Sequence, residues 1–232
     1  MQKQRNQQKV KLRDNLSRVK ARLSCSTKLL AVSKTKPTSM IEDVYHLGQK
    51  DFGENKVQDL AQKSLELKHL DIHWHFIGHL QSNKINQLLK VNNLVSIHSV
   101  DNLSLLNKLM TKSEKLQLSK PIGVFLQINT SGETEKSGFR VNADLTEAIK
   151  LFNSASNLYL QGLMTIGKIR TESFNQDARQ CFQSLLELKK KLDNTHSTTL
   201  ELSMGMSQDF EIAQEYKSNW VRIGSDIFGI RD

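Results

Sequence analysis

Leu29-Leu30-Ala31-Val32-Ser33-Lys34-Thr35-Lys36-Pro37 decides the reading of the chain: a short β-rich apolar run, a polar turn, and then a helical pattern. The same rhythm recurs to the end of the sequence. Strands are predicted at Leu29–Ser33, Lys50–Gly53, His73–Ile77, Val95–Ser99, Val124–Ile128, Leu158–Thr165, Leu200–Met204 and Trp220–Ile223. Amphipathic helices lie between them. One carries Phe174, Ala178, Cys181, Leu185, Leu188 and Leu192 on a single stripe, and another carries Val141, Leu145, Ala148, Ile149 and Phe152. Strands alternating with helices of about ten residues or more imply βαβ units and a parallel sheet, because parallel neighbours need a crossover connection. Eight such units suggest closure into an α/β (β/α)8 TIM barrel, whose typical length of about 250 residues accounts for the 232 present. An open doubly wound sheet is the alternative. With only Pro37 and Pro121, and no linker-like tract, residues 1–232 are expected to form a single domain with one additional N-terminal helix.

Composition narrows the class. Apolar residues make up 38% and charged residues 25%, values of an ordinary globular protein and not of a disordered one. No apolar run approaches the ~20 residues that cross a bilayer, and no apolar segment follows the basic N-terminus as in a secretory signal. A cytoplasmic protein without a membrane partner is expected. Cys25 and Cys181 are too few for a disulfide framework and are expected to be reduced, with Cys181 as core filling. The formal charge of +9 is unevenly spread. Residues 1–22 hold Lys3, Arg5, Lys9, Lys11, Arg13, Arg18, Lys20 and Arg22 against only Asp14, a net +7, which leaves +2 for the other 210 residues. Leu12, Leu16, Val19 and Leu23 recur there at helical spacing, so a basic amphipathic helix packed on the body is expected. RNA or membrane contact by residues 1–22 is a rival reading that no nucleic-acid motif supports.

In a barrel of this kind chemistry gathers where strands end and βα loops converge. Lys34 emerges after an apolar strand, where a low-dielectric floor and a cationic neighbour, Lys36, favour the neutral amine that condenses with an aldehyde. Ser207, between a strand and a helix, is read as an N-cap, and Gly224-Ser225 repeats the arrangement after the eighth strand. Glycine admits an anion to the backbone and serine adds a donor, so the two loops form a candidate phosphate site, although each alone is equally explained by helix capping. Asn55 and Lys136 fall in mouth loops, where either could touch a ligand. His73 and His75 share a strand face, but no third ligand gives them a metal site, and interior packing is the expectation. Met164, Met204 and Met206 read as filling.

Taken together, Leu29 to Pro37, Phe52-Gly53-Glu54-Asn55, Trp74-His75-Phe76-Ile77-Gly78-His79-Leu80-Gln81-Ser82-Asn83-Lys84, Gly162-Leu163-Met164-Thr165-Ile166 and Leu202-Ser203-Met204-Gly205-Met206-Ser207 resemble the pyridoxal phosphate homeostasis protein family. The resemblance runs from about Leu29 to Gly229. It implies a barrel similar to the N-terminal domain of alanine racemase, holding pyridoxal 5′-phosphate (PLP) as its cofactor. Lys34 matches the lysine of the internal aldimine. Ser207, Gly224 and Ser225 match the phosphate-binding positions, with Ser225 where many members have Thr. Arg222 matches the arginine facing the pyridine nitrogen, and Asn55 is grouped with these cofactor-binding residues. Gly167 departs from some members and bears only on a loop. A charged guanidinium at the ring nitrogen makes the ring a poorer electron sink. None of Tyr45, Tyr159 and Tyr216 lies at a predicted strand's C-terminal end, and the racemase's second domain, with its tyrosine, is not expected here. The family resemblance therefore points to a PLP carrier, and a monomer is expected. It would exchange the cofactor with the free pool or client apo-enzymes, with no catalytic turnover and no catalytic residues. A PLP-dependent amino-acid racemase or lyase is the alternative.

Overall fold

The computed structural model describes residues 2–116, 118, 120–133, 135–168, 171–194 and 199–229, with side chains from Arg5 onward. Met1, counted in the basic segment, and Thr134, in the loop after the fifth strand, lie outside the described residues. The chain opens with helix α1 (Gln2–Ala21) and then alternates strand and helix: β1 (Lys28–Val32), α2 (Thr38–His46), β2 (Asp51–Glu54), α3 (Val57–Glu66), β3 (His73–Phe76), α4 (Ile85–Leu89), β4 (Leu94–Val100) and α5 (Leu103–Glu114). The second half repeats this with β5 (Ile122–Gln127), α6 (Ala143–Leu151), β6 (Leu158–Met164), α7 (Phe174–Asp193), β7 (Glu201–Met206), α8 (Phe210–Glu215), β8 (Trp220–Ile223) and α9 (Ser225–Phe228). The strands form a closed barrel in sequence order. All neighbours are parallel, and β8 closes on β1 with Leu30 opposite Arg222. The barrel is the fold expected, and the open sheet is set aside.

Two apolar layers hold it together. Outside the sheet, helix stripes pack on outward strand residues; Ala178, Cys181, Phe182, Leu185 and Leu188 of α7 are all buried there. Inside, Leu30, Phe125, Met164 and Trp220 fill the lumen with Ile77 against them. Val141 departs from its predicted stripe. The Asn142 side chain accepts from the Leu145 N–H at 3.4 Å and starts α6 at Ala143, so Val141 stands outside the helix, 74% exposed.

Helix α1 packs as its spacing predicts. Leu12, Leu16 and Val19 are buried, and the Asn15 side chain donates to the Ile227 carbonyl at 3.0 Å, fixing α1 across α9. Lys9 pairs with Asp43, and Arg22 pairs with Glu211 while lying over the Phe210 ring. Among the described residues no helix is long and apolar enough to cross a membrane.

Candidate functional site

The C-terminal ends of the strands enclose a cavity of about 630 Å³, and Lys34, Asn55, Ser207, Arg222, Gly224 and Ser225 all line it. Residues scattered over most of the sequence are brought together because each lies within two residues of the C-terminal end of a parallel strand.

Lys34 sits on a tightly built corner. The Lys36 N–H donates to the Ser33 carbonyl at 3.0 Å, and Thr35 between them takes φ +67°, a left-handed value uncommon for a β-branched residue. The residue before Lys34 is clamped from behind. The Ser33 hydroxyl donates to Glu54 Oε1 at 2.6 Å, while Lys63 Nζ donates to the same oxygen at 2.7 Å and to the Ser33 carbonyl at 3.0 Å. Glu54 is fully buried, and its Oε2 has no partner among the described residues. Burial pushes its carboxyl above the ordinary glutamate value against the opposing pull of Lys63.

Asn55 follows β2, and its carbonyl lies so close to Gly78 that a Cβ at that glycine would sit 1.9 Å from it. Ser99 holds the Gly78 carbonyl at 2.5 Å from the other side. On the opposite rim, the Ser225 hydroxyl donates to the Ser207 hydroxyl at 3.0 Å, so two loops 18 residues apart put their oxygens together. A Cβ on Gly224 would come within 3.1 Å of the Val32 carbonyl and 3.4 Å of its Cβ, so a side chain there would press the end of β8 away from β1 by a few tenths of an ångström. Ser207 is not the helix cap the sequence suggested. Asp209 holds the N-cap position of α8, and its carboxylate accepts the Met206 N–H at 2.6 Å, leaving the Ser207 hydroxyl to the cavity. Burial raises the Asp209 carboxyl above its ordinary value, opposed by the Met206 N–H and Arg222.

Arg222 forms part of the floor. Its NH1 donates to the Ser203 carbonyl at 2.7 Å and the Ser203 hydroxyl at 2.9 Å, and its NH2 donates to the Thr165 carbonyl at 2.8 Å. Three of its five N–H groups are thus committed to the barrel. Complete burial lowers its pKa to about 10, which keeps the guanidinium charged at neutral pH. Beneath it, His98 Nδ1 lies 2.8 Å from the Ser203 hydroxyl, and His98 Nε2 lies 2.8 Å from the Ser96 hydroxyl and 3.1 Å from His75 Nδ1. His75 Nε2 in turn meets Asp51 Oδ1 at 3.1 Å on the N-terminal side of the barrel, where His73 Nδ1 is 3.2 Å away.

A family model described as the alanine racemase N-terminal domain matches residues 9–232. Proteins named pyridoxal phosphate homeostasis protein are 42% identical in mouse, over 88% of this chain and 77% of the relative, and 42% identical in Schizosaccharomyces pombe, over 88% and 84%. The chain belongs to the pyridoxal phosphate homeostasis protein family. Among solved structures, PipY of Synechococcus elongatus is 31% identical without PLP, with TM-score 0.85 over 94% of this chain and all of that one. The same protein with PLP bound gives TM-score 0.80 at 30% identity, over 94% of this chain and all of that one. Alanine racemase of E. faecalis, at 14% identity, TM-score 0.73 and 96% of this chain against 58% of that one, shares the fold.

Other predicted positions divide. Lys136 lies in an adjoining cavity of about 420 Å³, where its ammonium pairs with Glu133 at 2.9 Å and donates to the Gly167 carbonyl at 3.3 Å. Met204 is core, but Met164 and Met206 border the mouth, so they shape the site as well as fill space. His75 is buried in the lumen as expected, whereas His73 is 39% exposed at its side chain. Among the described residues no cluster could hold a metal ion. Sequence reasoning passed over His98, Ser203, Asp51 and the Glu54–Lys63 pair. A signal was present in β4, where Ser96 and His98 are polar and two apart among Leu94, Val95, Ile97 and Val100, and so share one face of the strand.

Proposed function

We propose that this chain binds pyridoxal 5′-phosphate at the barrel mouth and serves intracellular PLP homeostasis, holding the cofactor and exchanging it with the free pool or client apo-enzymes. The observation carrying this reading is the convergence on one cavity of a primary amine (Lys34), a guanidinium (Arg222) and two hydroxyls 3.0 Å apart (Ser207 and Ser225). Those groups suit the three handles of PLP. Bound, the cofactor supplies an aldehyde that condenses with a primary amine. Lys34 and Lys36 both line the cavity, and the amine is assigned to Lys34, whose corner is fixed by Ser33, Glu54 and Lys63. Ser207 and Ser225 would donate to the phosphate, with Gly224 beside them letting the end of β8 pack closely on Val32 of β1. Arg222 would face the ring nitrogen with the N–H groups its barrel contacts leave over, and its retained charge opposes protonation there.

Storage suits this residue set better than turnover. The cavity lining includes no tyrosine among the described residues, and Tyr45, Tyr159 and Tyr216 lie elsewhere, on α2, at the start of β6 and at the end of α8. A racemase or lyase needs a second acid/base group on the far side of the ring and a ring that accepts electrons. The protein is read as a cytoplasmic monomer.

Absorbance tests the proposal directly. Protein loaded with PLP should show a visible band that borohydride bleaches, with the label then mapping to the Lys34 peptide. Lys34→Ala should lose the band while remaining folded, and Lys36→Ala should keep it. Loss in Lys36→Ala alone would reassign the amine. Sustained α-proton exchange of L- or D-amino acids in heavy water would replace the carrier reading with the enzymatic one.

A further inference from the structure

Beneath Arg222 the lumen holds a continuous line of polar groups, and its direction follows from its two ends. A guanidinium only donates and a carboxylate only accepts. Asp51 Oδ1 therefore takes the Nε2 proton of His75, which leaves His75 Nδ1 bare. That nitrogen needs a donor. The Ser96 hydroxyl at 2.7 Å and His98 Nε2 at 3.1 Å are the neighbours that can serve, and His98 Nε2 also reaches Ser96 Oγ at 2.8 Å. A proton on His98 Nε2 satisfies all three groups and leaves His98 Nδ1 bare toward the Ser203 hydroxyl at 2.8 Å. Ser203 then gives its only proton to His98 and turns a lone pair to Arg222 NH1 at 2.9 Å. The opposite tautomer of His98 would set two bare nitrogens against each other at 3.1 Å and leave the Ser203 proton facing a group that cannot accept it.

We propose that His98 is a positioning residue, which by fixing the Ser203 hydroxyl as an acceptor sets the guanidinium of Arg222 against the cofactor ring, within a one-way chain Arg222→Ser203→His98→Ser96/His75→Asp51. This rests on the PLP reading of the mouth for its functional half, and on geometry alone for the tautomers. Both histidines are neutral in this arrangement. Burial is the first cause lowering each of their pKa values; for His98 the guanidinium of Arg222 and proximity to the His75 ring add to it, while for His75 Asp51 opposes it. His98 stacks on Phe125, with centroids 4.2 Å apart at 21°, and His75 packs against Trp220 at 4.9 Å with the rings tilted by 55°. The serine backbone keeps a second acceptor on Arg222, so loss of His98 should misdirect the guanidinium without releasing it.

Two measurements test this. Nitrogen-15 NMR of the cofactor-free protein at neutral pH should show His75 and His98 neutral and protonated on Nε2; an Nδ1-protonated or charged His98 overturns the chain. In protein loaded with PLP, His98→Asn keeps an acceptor near Nδ1, whereas His98→Gln keeps the Nε2 donor and loses that acceptor. His98→Gln should shift the visible maximum and weaken cofactor retention about tenfold, the size of one hydrogen bond to a charged group, with His98→Asn within about twofold of wild type. Ser203→Ala should reproduce the His98→Gln shift, and the double variant should add nothing. Equal spectra for the Asn and Gln variants, or additive effects with Ser203→Ala, would overturn the positioning role. Should wild type take up no PLP at all, the reading of the mouth fails, and the tautomer measurement still decides the chain.

Discussion

Replacing Lys63 by Met removes one partner of the ion pair that backs the Lys34 corner. Glu54 is fully buried, and the Lys63 side chain is only 11% exposed. The variant leaves a carboxylate in the barrel wall holding one hydrogen bond, from Ser33, with Oε2 already unpartnered. Breaking a buried pair in this way costs about 3–5 kcal/mol, and the lower figure applies because the carboxyl can escape by taking up a proton. A loss of about 3 kcal/mol, with a urea slope of roughly 3 kcal/mol/M for a chain of this size, lowers the unfolding midpoint by about 1 M. In a thermal scan the same loss is roughly 6–12 °C. Glu54 has a folded-state pKa above its unfolded one, so its burial is tolerated at low pH and the penalty grows as pH rises through the folded value. Without the Lys63 cation that value rises further, so the deficit of Lys63→Met should shrink as pH falls toward the usual glutamate range. Glu54→Gln/Lys63→Met, which removes both charges, should recover to within about 1.5 kcal/mol of wild type. Urea titrations of the three proteins at several pH values measure all of this. A Lys63→Met deficit below about 1 kcal/mol at neutral pH, or one that stays flat with pH, would refute the claim that a buried charge pair fixes the corner.

Three other perturbations follow from the same geometry. Ser225→Ala, by removing one hydroxyl from the phosphate end, should weaken PLP binding by about 1.5–2 kcal/mol, roughly tenfold or more in equilibrium dialysis, while the melting temperature of the cofactor-free protein stays put. Gly78→Ala drives a Cβ against backbone atoms of Asn55 that cannot yield cheaply, and should cost about 1–3 kcal/mol in urea unfolding together with a loss of PLP affinity. Lys11 and Arg18 line a cleft of about 1380 Å³ between α1 and the mouth that also includes Ser207 and Ser225. Lys11→Gln/Arg18→Gln should slow PLP association several-fold at low salt and flatten its salt dependence in stopped-flow absorbance, with dissociation unchanged; a change confined to dissociation would show that α1 does not steer the phosphate.

The barrel was legible because most strands are short β-rich runs bounded by turn residues, and the order strand–helix–strand admits little else. Boundaries moved by one or two residues where pairing, not propensity, ends a strand. The predicted Leu29–Ser33 becomes Lys28–Val32 because Lys28 pairs with Trp220 of β8. The mouth residues were legible for a related reason: in a parallel barrel, the residue after each strand is known to face the mouth without knowing the register. Residues inside the lumen carry no such guarantee. His98 and Ser203 are 105 positions apart, and nothing in either neighbourhood says that their strands' inner faces meet at one level. That depends on barrel stagger, and β4 and β7 reach each other across the lumen and not along the sheet. The Glu54–Lys63 pair was hidden differently, since a lysine in an amphipathic helix reads as solvated until the helix is docked.

A line of polar groups through a small barrel is an expensive choice on stability grounds, because apolar filling of the same volume needs no partners. The described lumen offsets that cost only while every link is present: Arg222 supplies donors to Ser203, and Asp51 supplies the acceptor at the far end. Removing an interior member leaves a buried donor or acceptor on each side, at about 1–3 kcal/mol apiece. Removing Asp51, which is part-exposed beside His73, opens the line to water instead. His98→Leu should therefore destabilise the cofactor-free protein by more than Asp51→Asn, although Asp51 carries the charge. The reverse order in urea unfolding would mean that the ion, and not the continuity of the chain, sustains the interior.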